Sequence, residues 1–125
     1  MRLLTEEQKH WVEVIGDFCK KEIEPIMLDW DKVVDPSKAI PFEPYAKAFK
    51  LGLNSFEIPK EYGGTGADPL AAAICVEELS KQCASTGDIV ATHNGLCCDP
   101  ILTHGTEEQK KKYLPMLTTG HKVGA

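Results

Sequence analysis

The densest group of residues that could do chemistry lies between positions 93 and 104. It offers nitrogen, sulfur and carboxylate ligands from His93, Cys97, Cys98, Asp99 and His104. On a helix, His93 and Cys97 are four residues apart and could reach one ion, and His93 could also serve as the base for a cysteine nucleophile. The other residues complete no known metal-ligand spacing, and buried cysteines usually pack as small hydrophobes. We therefore favour packing or pocket lining, with a metal or thiol site as the alternative.

Two further motifs could suggest acid-base catalysis or phosphate binding, but the spacing of their residues argues against both. Glu77 and Glu78 form a carboxylate pair in sequence, but adjacent helical residues point about 100° apart and cannot share one substrate atom. The glycines of residues 62–66 (YGGTG) could cradle a phosphate, yet no strand precedes them and no Gly-Lys-Ser/Thr follows. We expect a tight turn between helices there.

Periodic apolar residues between capping signals predict an all-α fold, an up-and-down helical bundle of about five to six helices. Thr5 with Gln8, and Thr106 with Gln109, form capping-box patterns at the first and last helices. Strand signals are nearly absent, and only residues 121–125 could begin one. The predicted helices cover about 6–30 with a kink at Pro25, 43–51 up to a stop at Gly52, 69–81 after an Asp68 cap, a stretch from 85 onward, and 107–117 up to Gly120.

The helix that carries the group between 93 and 104 has the least regular signals. Ser85 can cap this helix, and Ile89, His93 and Leu96 then fall along one side of it. The pair Asp99-Pro100 predicts a break or a fresh turn, because proline disfavours a straight continuation.

Composition and charge exclude several classes of partner. The chain has 125 residues, 42% of them hydrophobic, which is enough for one core and favours a single domain over 1–125. The formal net charge is −5 and no basic stripe occurs, so nucleic acid is not an expected partner. No apolar run approaches the roughly 18 residues of a membrane span. Five cysteines without a CxxC pair fit a reducing compartment, and we expect a soluble, unsecreted protein.

A series of short blocks in fixed order characterises the chain. The blocks are residues 51–53 (LGL), 59–66 (PKEYGGTG), 76–80 (VEELS) and 104–115 (HGTEEQKKKYLP). This series resembles the N-terminal domain of the acyl-CoA dehydrogenases, and the resemblance covers essentially the whole chain. The second and fourth blocks, at this separation, are its most specific part.

The resemblance implies a helical domain followed by a β-barrel and a C-terminal four-helix bundle, in a protomer that usually forms a homotetramer. It implies FAD as cofactor, acyl-CoA as substrate, and an electron-transferring flavoprotein as electron acceptor in fatty acid metabolism. A glutamate would remove the α-proton while the β-hydrogen leaves as hydride to the flavin, giving the trans-2-enoyl-CoA. The location would be cytoplasmic, or the mitochondrial matrix in a eukaryote.

The same resemblance supplies candidate substrate-binding residues. Residues 87–100 match the segment that lines the acyl tail in this family, which gives Ile89, Thr92, His93 and Leu96. Because an unpaired hydroxyl and imidazole beside a long alkyl chain would cost roughly a few kcal/mol, Thr92 and His93 predict a short, cyclic or functionalised acyl group. The alternative for His93 is that it bonds a carbonyl and faces away from the substrate.

The chain ends at Gly124-Ala125, before the barrel strand and the Thr-Glu-Pro flavin segment of the family. The family's catalytic glutamate lies in the C-terminal part, so no acidic residue here takes that role, and we expect the 125-residue chain to be inactive alone. A different hypothesis is a stand-alone helical module that binds acyl groups or a partner protein without redox chemistry. Apolar surface that would normally face other domains predicts self-association.

Overall fold

The computed structural model describes residues 4–35, 42–120 and 122–124, and the all-α prediction is confirmed because these residues contain no strand. Residues 122–124 are irregular, while 121 and 125, the ends of the one stretch that could have begun a strand, lie outside the described residues. Over the described ranges, no helix is both long and apolar enough to cross a bilayer. The elements are α1 (Glu6–Phe18), π1 (Cys19–Ile23), α2 (Met27–Trp30), α3 (Phe42–Lys50), a 3-10 turn (Lys60–Tyr62), α4 (Pro69–Gln82), α5 (Ala84–Ala91), π2 (Thr92–Cys98), α6 (Asp99–His104) and α7 (Glu107–Thr118).

Local capping chemistry sets three helix starts as predicted. The Thr5 hydroxyl accepts from the Gln8 amide at 3.2 Å, and the Gln8 side chain accepts from the Thr5 amide at 3.1 Å. Thr106 and Gln109 repeat this reciprocal pair at 3.3 and 2.8 Å. The Asp68 carboxylate accepts from the first free amides of α4 at 2.9 and 3.1 Å. Each cap satisfies amides that have no partner within the helix.

The start of α5 contradicts the prediction that Ser85 caps it. Cys83 is the N-cap residue, with extended backbone and no side-chain cap hydrogen bond. Its carbonyl accepts from the amides of Thr86 and Gly87, each at 3.1 Å. A Cβ on Gly87 would stand 2.0 Å from the Ser80 hydroxyl. A single extended residue therefore turns the chain, and α4 and α5 meet at a close corner.

Two π-helical segments each end two residues before a proline. The amide of Asp99, which precedes Pro100, reaches back five residues to the carbonyl of Asn94, and Glu24 makes the same bond before Pro25. A proline ring inside an α-helix clashes with the carbonyl four residues earlier, and the wider i→i+5 turn moves that carbonyl away. The predicted break at Asp99-Pro100 is therefore wrong, because α5, π2 and α6 form one continuous rod. The kink at Pro25 is confirmed, with a turn over 24–26 before α2.

The main core lies where α4 packs between α1 and α5. Trp11 covers one side of it, edge-on to Phe56 with ring centroids 5.9 Å apart. A second, smaller cluster joins the 3-10 turn to α7 through Ile58, Tyr62, Cys98, Leu114 and Leu117. The main core contains Ile15, Phe18, Cys19, Ile23, Ala48, Leu53, Phe56, Ala72, Cys75, Leu79 and Val90.

The loop between α3 and α4 contains the predicted tight turn. Gly52 and Gly63 have φ of +82° and +85°, in the left-handed region that favours glycine. A Cβ on Gly64 would stand 1.9 Å from the Ile58 carbonyl oxygen. The loop therefore folds back on its own backbone, and the tight-turn interpretation of the glycines is confirmed.

Candidate functional site

The α5–π2 rod carries the predicted substrate-binding residues, and its two sides differ in burial. Ile89 and Thr92 are half-buried, whereas Leu96 is 72% exposed. These three residues keep solvent-accessible surface, and we call them together the outer face. The inner side contains the buried residues Val90, His93, Asn94 and Cys98.

His93 does not share the side of Leu96, contrary to the predicted α-helical spacing. The wider turn of π2 changes the angular position of each successive residue, so three-residue and four-residue spacings no longer align as they do in an α-helix. The candidate set is therefore divided by burial: Ile89, Thr92 and Leu96 keep solvent-accessible surface, and His93 has none.

The His93 side chain is 0% exposed and is held by the domain itself. Its Nδ1 accepts from the Gly124 amide at 2.9 Å, and its ring lies 5.5 Å from the Phe49 ring. Burial lowers the pKa of His93, and hydrogen bonds to the backbone of Leu117, Gly124 and Asn54 oppose this effect. The imidazole is therefore neutral, with its proton on Nε2, and it lies in the interior of the domain.

The thiols near His93 are arranged for packing. The Cys98 sulfur, not that of Cys97, approaches His93 Nε2, at 3.6 Å, because π2 brings residues five apart onto one face. Burial raises the pKa of Cys98 to about 12, with a smaller contribution from Cys97. A thiol with this pKa is protonated at neutral pH and is a poor nucleophile. Across the described ranges, no three His, Cys, Asp or Glu side chains are grouped to hold a metal ion.

Asn94 fixes the rod to the loop and was missed by the sequence analysis. Its Oδ1 accepts from the Phe56 amide at 3.1 Å, and its Nδ2 donates to the carbonyls of Leu53 at 2.9 Å and Val90 at 2.8 Å. All three bonds are buried. The available signal was an asparagine in the interior of a helical stretch, since a buried amide side chain is normally hydrogen-bonded.

The described residues form no cradle for a phosphate or a dinucleotide. The glycine loop (residues 62–66) packs on Ile58. The side chains of Asp68 and Thr106 already accept hydrogen bonds from backbone amides at the N-termini of α4 and α7. Acidic residues also fill the first turns of α1 and α7, which would repel a phosphate. Glu77 and Glu78 both pair with the ammonium of Lys81, so the expectation that two adjacent carboxylates cannot reach one atom is wrong; the lysine side chain occupies both carboxylates.

The family model described as acyl-CoA dehydrogenase, N-terminal domain, matches residues 5–121, which is nearly the whole chain. The chain belongs to the acyl-CoA dehydrogenase family. The short-chain specific acyl-CoA dehydrogenase of Clostridium acetobutylicum is 42% identical over 122 residues, covering 98% of this chain and 31% of that protein.

Two solved structures share the fold of this acyl-CoA dehydrogenase domain. Butyryl-CoA dehydrogenase from Megasphaera elsdenii aligns with a TM-score of 0.84 at 29% identity, over 98% of this chain and 32% of that one. A chain in a structure of the electron transferring flavoprotein of Acidaminococcus fermentans aligns with a TM-score of 0.86 at 33% identity, over 98% and 31%. The chain thus spans about a third of the length of these relatives.

The two most specific sequence blocks of this acyl-CoA dehydrogenase domain contact each other. The Tyr62 hydroxyl donates to the Glu107 carboxylate at 2.9 Å, and the Thr118 hydroxyl donates to the Tyr62 carbonyl at 3.1 Å. The bond from Tyr62 is the main cause that lowers the pKa of Glu107. These contacts join the glycine loop to α7, and together with Asn94 they hold the loop and the α5–π2 rod in place.

Proposed function

We propose that this chain is the N-terminal domain of a FAD-dependent acyl-CoA dehydrogenase that oxidises a short-chain acyl-CoA to the trans-2-enoyl-CoA. The observation that carries the proposal is the outer face (Ile89, Thr92 and Leu96) in a domain of this family. A leucine that is 72% exposed on a rigid rod offers apolar surface to an acyl chain. The relatives named for short-chain and butyryl substrates support the short chain length.

In this proposal the domain supplies one wall of the acyl pocket, and the reacting groups lie elsewhere. Because the described residues do not fit a dinucleotide, we assign FAD to segments of the enzyme other than this domain and derive no step through it here. Bound FAD would accept the hydride from the β-carbon while a carboxylate takes the α-proton. The outer face would position the acyl chain and exclude water, and the 125-residue chain alone is expected to be inactive.

Burial of His93 weakens one argument for a short acyl group and leaves another. The imidazole is held inside the domain, so it adds no polarity to the outer face. The half-buried Thr92 is the remaining polar member, and its hydroxyl would be costly to cover with a long alkyl chain. The short length of the acyl chain is therefore inferred from Thr92 and from the substrates in the names of the relatives, and His93 does not contribute to it.

Steady-state kinetics of the full-length enzyme on butyryl, alicyclic and palmitoyl thioesters test this proposal. We expect the highest kcat/KM with butyryl-CoA, and the best activity on palmitoyl-CoA would contradict the assignment. Leu96→Ala should raise KM for the preferred substrate about 5- to 150-fold, which corresponds to the roughly 1–3 kcal/mol of a lost hydrophobic contact. Leu28→Ala is the matched control, because Leu28 is also exposed but lies on α2.

We also infer an electron-transferring flavoprotein as electron acceptor and a homo-oligomeric enzyme. The similarity to a chain from an electron transferring flavoprotein structure supports the first inference. Exposed apolar residues on several helices support the second, since such surface is usually covered in an assembly. Sedimentation of the 125-residue chain should show association that increases with concentration. A monomer at all concentrations would contradict this expectation.

A further inference from the structure

The residues that follow α7 are bonded to the domain although they form no helix or strand. Residues 122–124, which we call the exit segment, are irregular. The Lys122 amide donates to the Met116 carbonyl at 3.2 Å, so the segment folds back on the last turn of α7. The Gly124 amide donates to His93 Nδ1 at 2.9 Å. Two hydrogen bonds therefore hold the exit segment, one on α7 and one on π2.

Two glycines allow this close docking. A Cβ on Gly124 would overlap the Cys97 sulfur and would stand 3.6 Å from the Leu117 side chain, so the backbone itself packs on π2 and α7. Gly120 lies in the turn after α7 with a φ of +75°, and a Cβ there would stand 3.0 Å from the Phe49 ring. The path of the chain thus needs a bare backbone at both positions.

His93 is a rigid acceptor for the Gly124 amide. Its side chain is 0% exposed, its ring lies 5.5 Å from the Phe49 ring, and its Nε2 lies 3.6 Å from the Cys98 sulfur. A neutral imidazole has one accepting nitrogen, and in this domain that nitrogen meets the exit segment. A side chain locked by packing holds its partner in one place.

The docked end of the exit segment lies close to the outer face. Gly124 packs on Cys97, which directly follows Leu96 in the chain. This inference rests on the proposed function, in which FAD and the catalytic carboxylate belong to other segments of the enzyme. The chain that leads to those segments would leave this domain at Cys97, so its direction sets the distance from the acyl wall to the reacting groups. A misplacement of about 1 Å can cost roughly 100-fold in rate.

We propose that His93 is a positioning residue, which holds the exit segment on π2 and thereby fixes the acyl wall relative to the reacting groups. It touches neither the acyl chain nor the flavin, and it acts through the Gly124 amide. This role gives the buried imidazole a function even though it adds no polarity to the outer face.

The full-length enzyme tests this role through three variants. His93→Leu removes the acceptor but keeps a side chain of similar size, whereas His93→Asn places an amide oxygen on the same Cγ that carries Nδ1. We expect His93→Leu to lower kcat for butyryl-CoA at least tenfold with KM changed less than threefold, because the acyl chain still meets the wall but is misplaced for reaction. His93→Asn should recover kcat to within threefold. Val123→Ala, which truncates a side chain that is 47% exposed in the same segment, is the matched control and should change neither constant.

Two results would overturn the positioning role. One is a kcat of His93→Leu equal to that of the unchanged enzyme, and the other is a His93→Asn enzyme no faster than His93→Leu. If His93→Leu does not fold, Gly124→Ala replaces it, because its methyl group pushes the exit segment off Cys97 and leaves His93 in place. It should also lower kcat at least tenfold, and an unchanged kcat would overturn the proposal.

Solvent exchange of the Gly124 amide hydrogen, measured by NMR on the 125-residue chain, tests the docking without any assay of activity. Exchange should be at least tenfold faster in His93→Leu than in the unchanged chain, and His93→Asn should restore most of the protection. An unprotected Gly124 amide in the unchanged chain would overturn the inference. A protected amide, together with a full-length enzyme that oxidises no acyl thioester, would support the docking and overturn the proposed function instead.

Discussion

Replacing Asn94 by alanine should cost a large part of the stability of this domain. The variant loses three buried hydrogen bonds and leaves the Phe56 amide and the Leu53 carbonyl without the partners seen in the structure. Each buried backbone group left unsatisfied costs about 1–3 kcal/mol. We therefore expect the free energy of unfolding to fall by about 3–5 kcal/mol, out of a total of about 5–15 kcal/mol for a domain of this size.

The measurement is urea unfolding of the 125-residue chain, followed by circular dichroism at a helical wavelength. Leu96→Ala is the control on the same rod, because Leu96 is 72% exposed and its truncation should stay within about 0.5 kcal/mol. If Asn94→Ala costs less than about 1 kcal/mol, the inference that this amide ties the rod to the loop is refuted.

Three further predictions concern single residues. Because burial raises the pKa of Cys98 to about 12, an aromatic disulfide reagent should label half-buried Cys97 in the native chain but reach Cys98 only after unfolding. In urea titrations, Gly64→Ala should lower the free energy of unfolding by about 2–3 kcal/mol, because the new Cβ would meet the Ile58 carbonyl. Gly95→Ala should raise it by about 0.5–1 kcal/mol, because a Cβ at position 95 would have no atom of another residue within 4 Å. Burial lowers the pKa of His93 below its ordinary 6.5, so the unfolded chain binds that proton more readily. Stability should therefore fall as pH drops below 6.5, and His93→Gln should reduce this dependence.

A different result would contradict each of these three predictions. Rapid native labelling of Cys98 would show that π2 opens readily. An unfolding free energy unchanged by Gly64→Ala would mean that the loop relaxes around the new methyl group. An identical pH profile for His93→Gln would assign the acid sensitivity to other groups.

Features that depend on neighbouring residues were predicted from the sequence. The caps at Thr5, Asp68 and Thr106 each require a partner within three residues, and each forms as predicted. Ser85 also has capping chemistry, but the close approach of Gly87 to Ser80 begins α5 earlier. A tertiary contact therefore overrode a local preference at that corner.

Features that depend on distant residues were not predicted. Asn94 bonds to residues 38 and 41 positions away, and nothing in its own surroundings identifies those partners. The separation of His93 from Leu96 follows from π2, whose wide turn accommodates Pro100. A prediction from hydrophobic periodicity assumes a constant number of residues per helical turn. It therefore assigns residues to the wrong side of the helix wherever the turn widens. Of the candidate site, Ile89, Thr92 and Leu96 were named from the family resemblance, and their role in binding an acyl group stays a prediction.

The widened turn of π2 makes the length of this segment matter more than its composition. Deleting one residue inside π2 would replace its i→i+5 hydrogen bonds by ordinary α-helical ones. The proline ring of Pro100 would then clash with the carbonyl four residues before it. Substitutions at Thr92 or Leu96, by contrast, alter the outer face without moving α6. The side chains of this wall can therefore change by substitution, whereas the length of π2 sets where α6 begins.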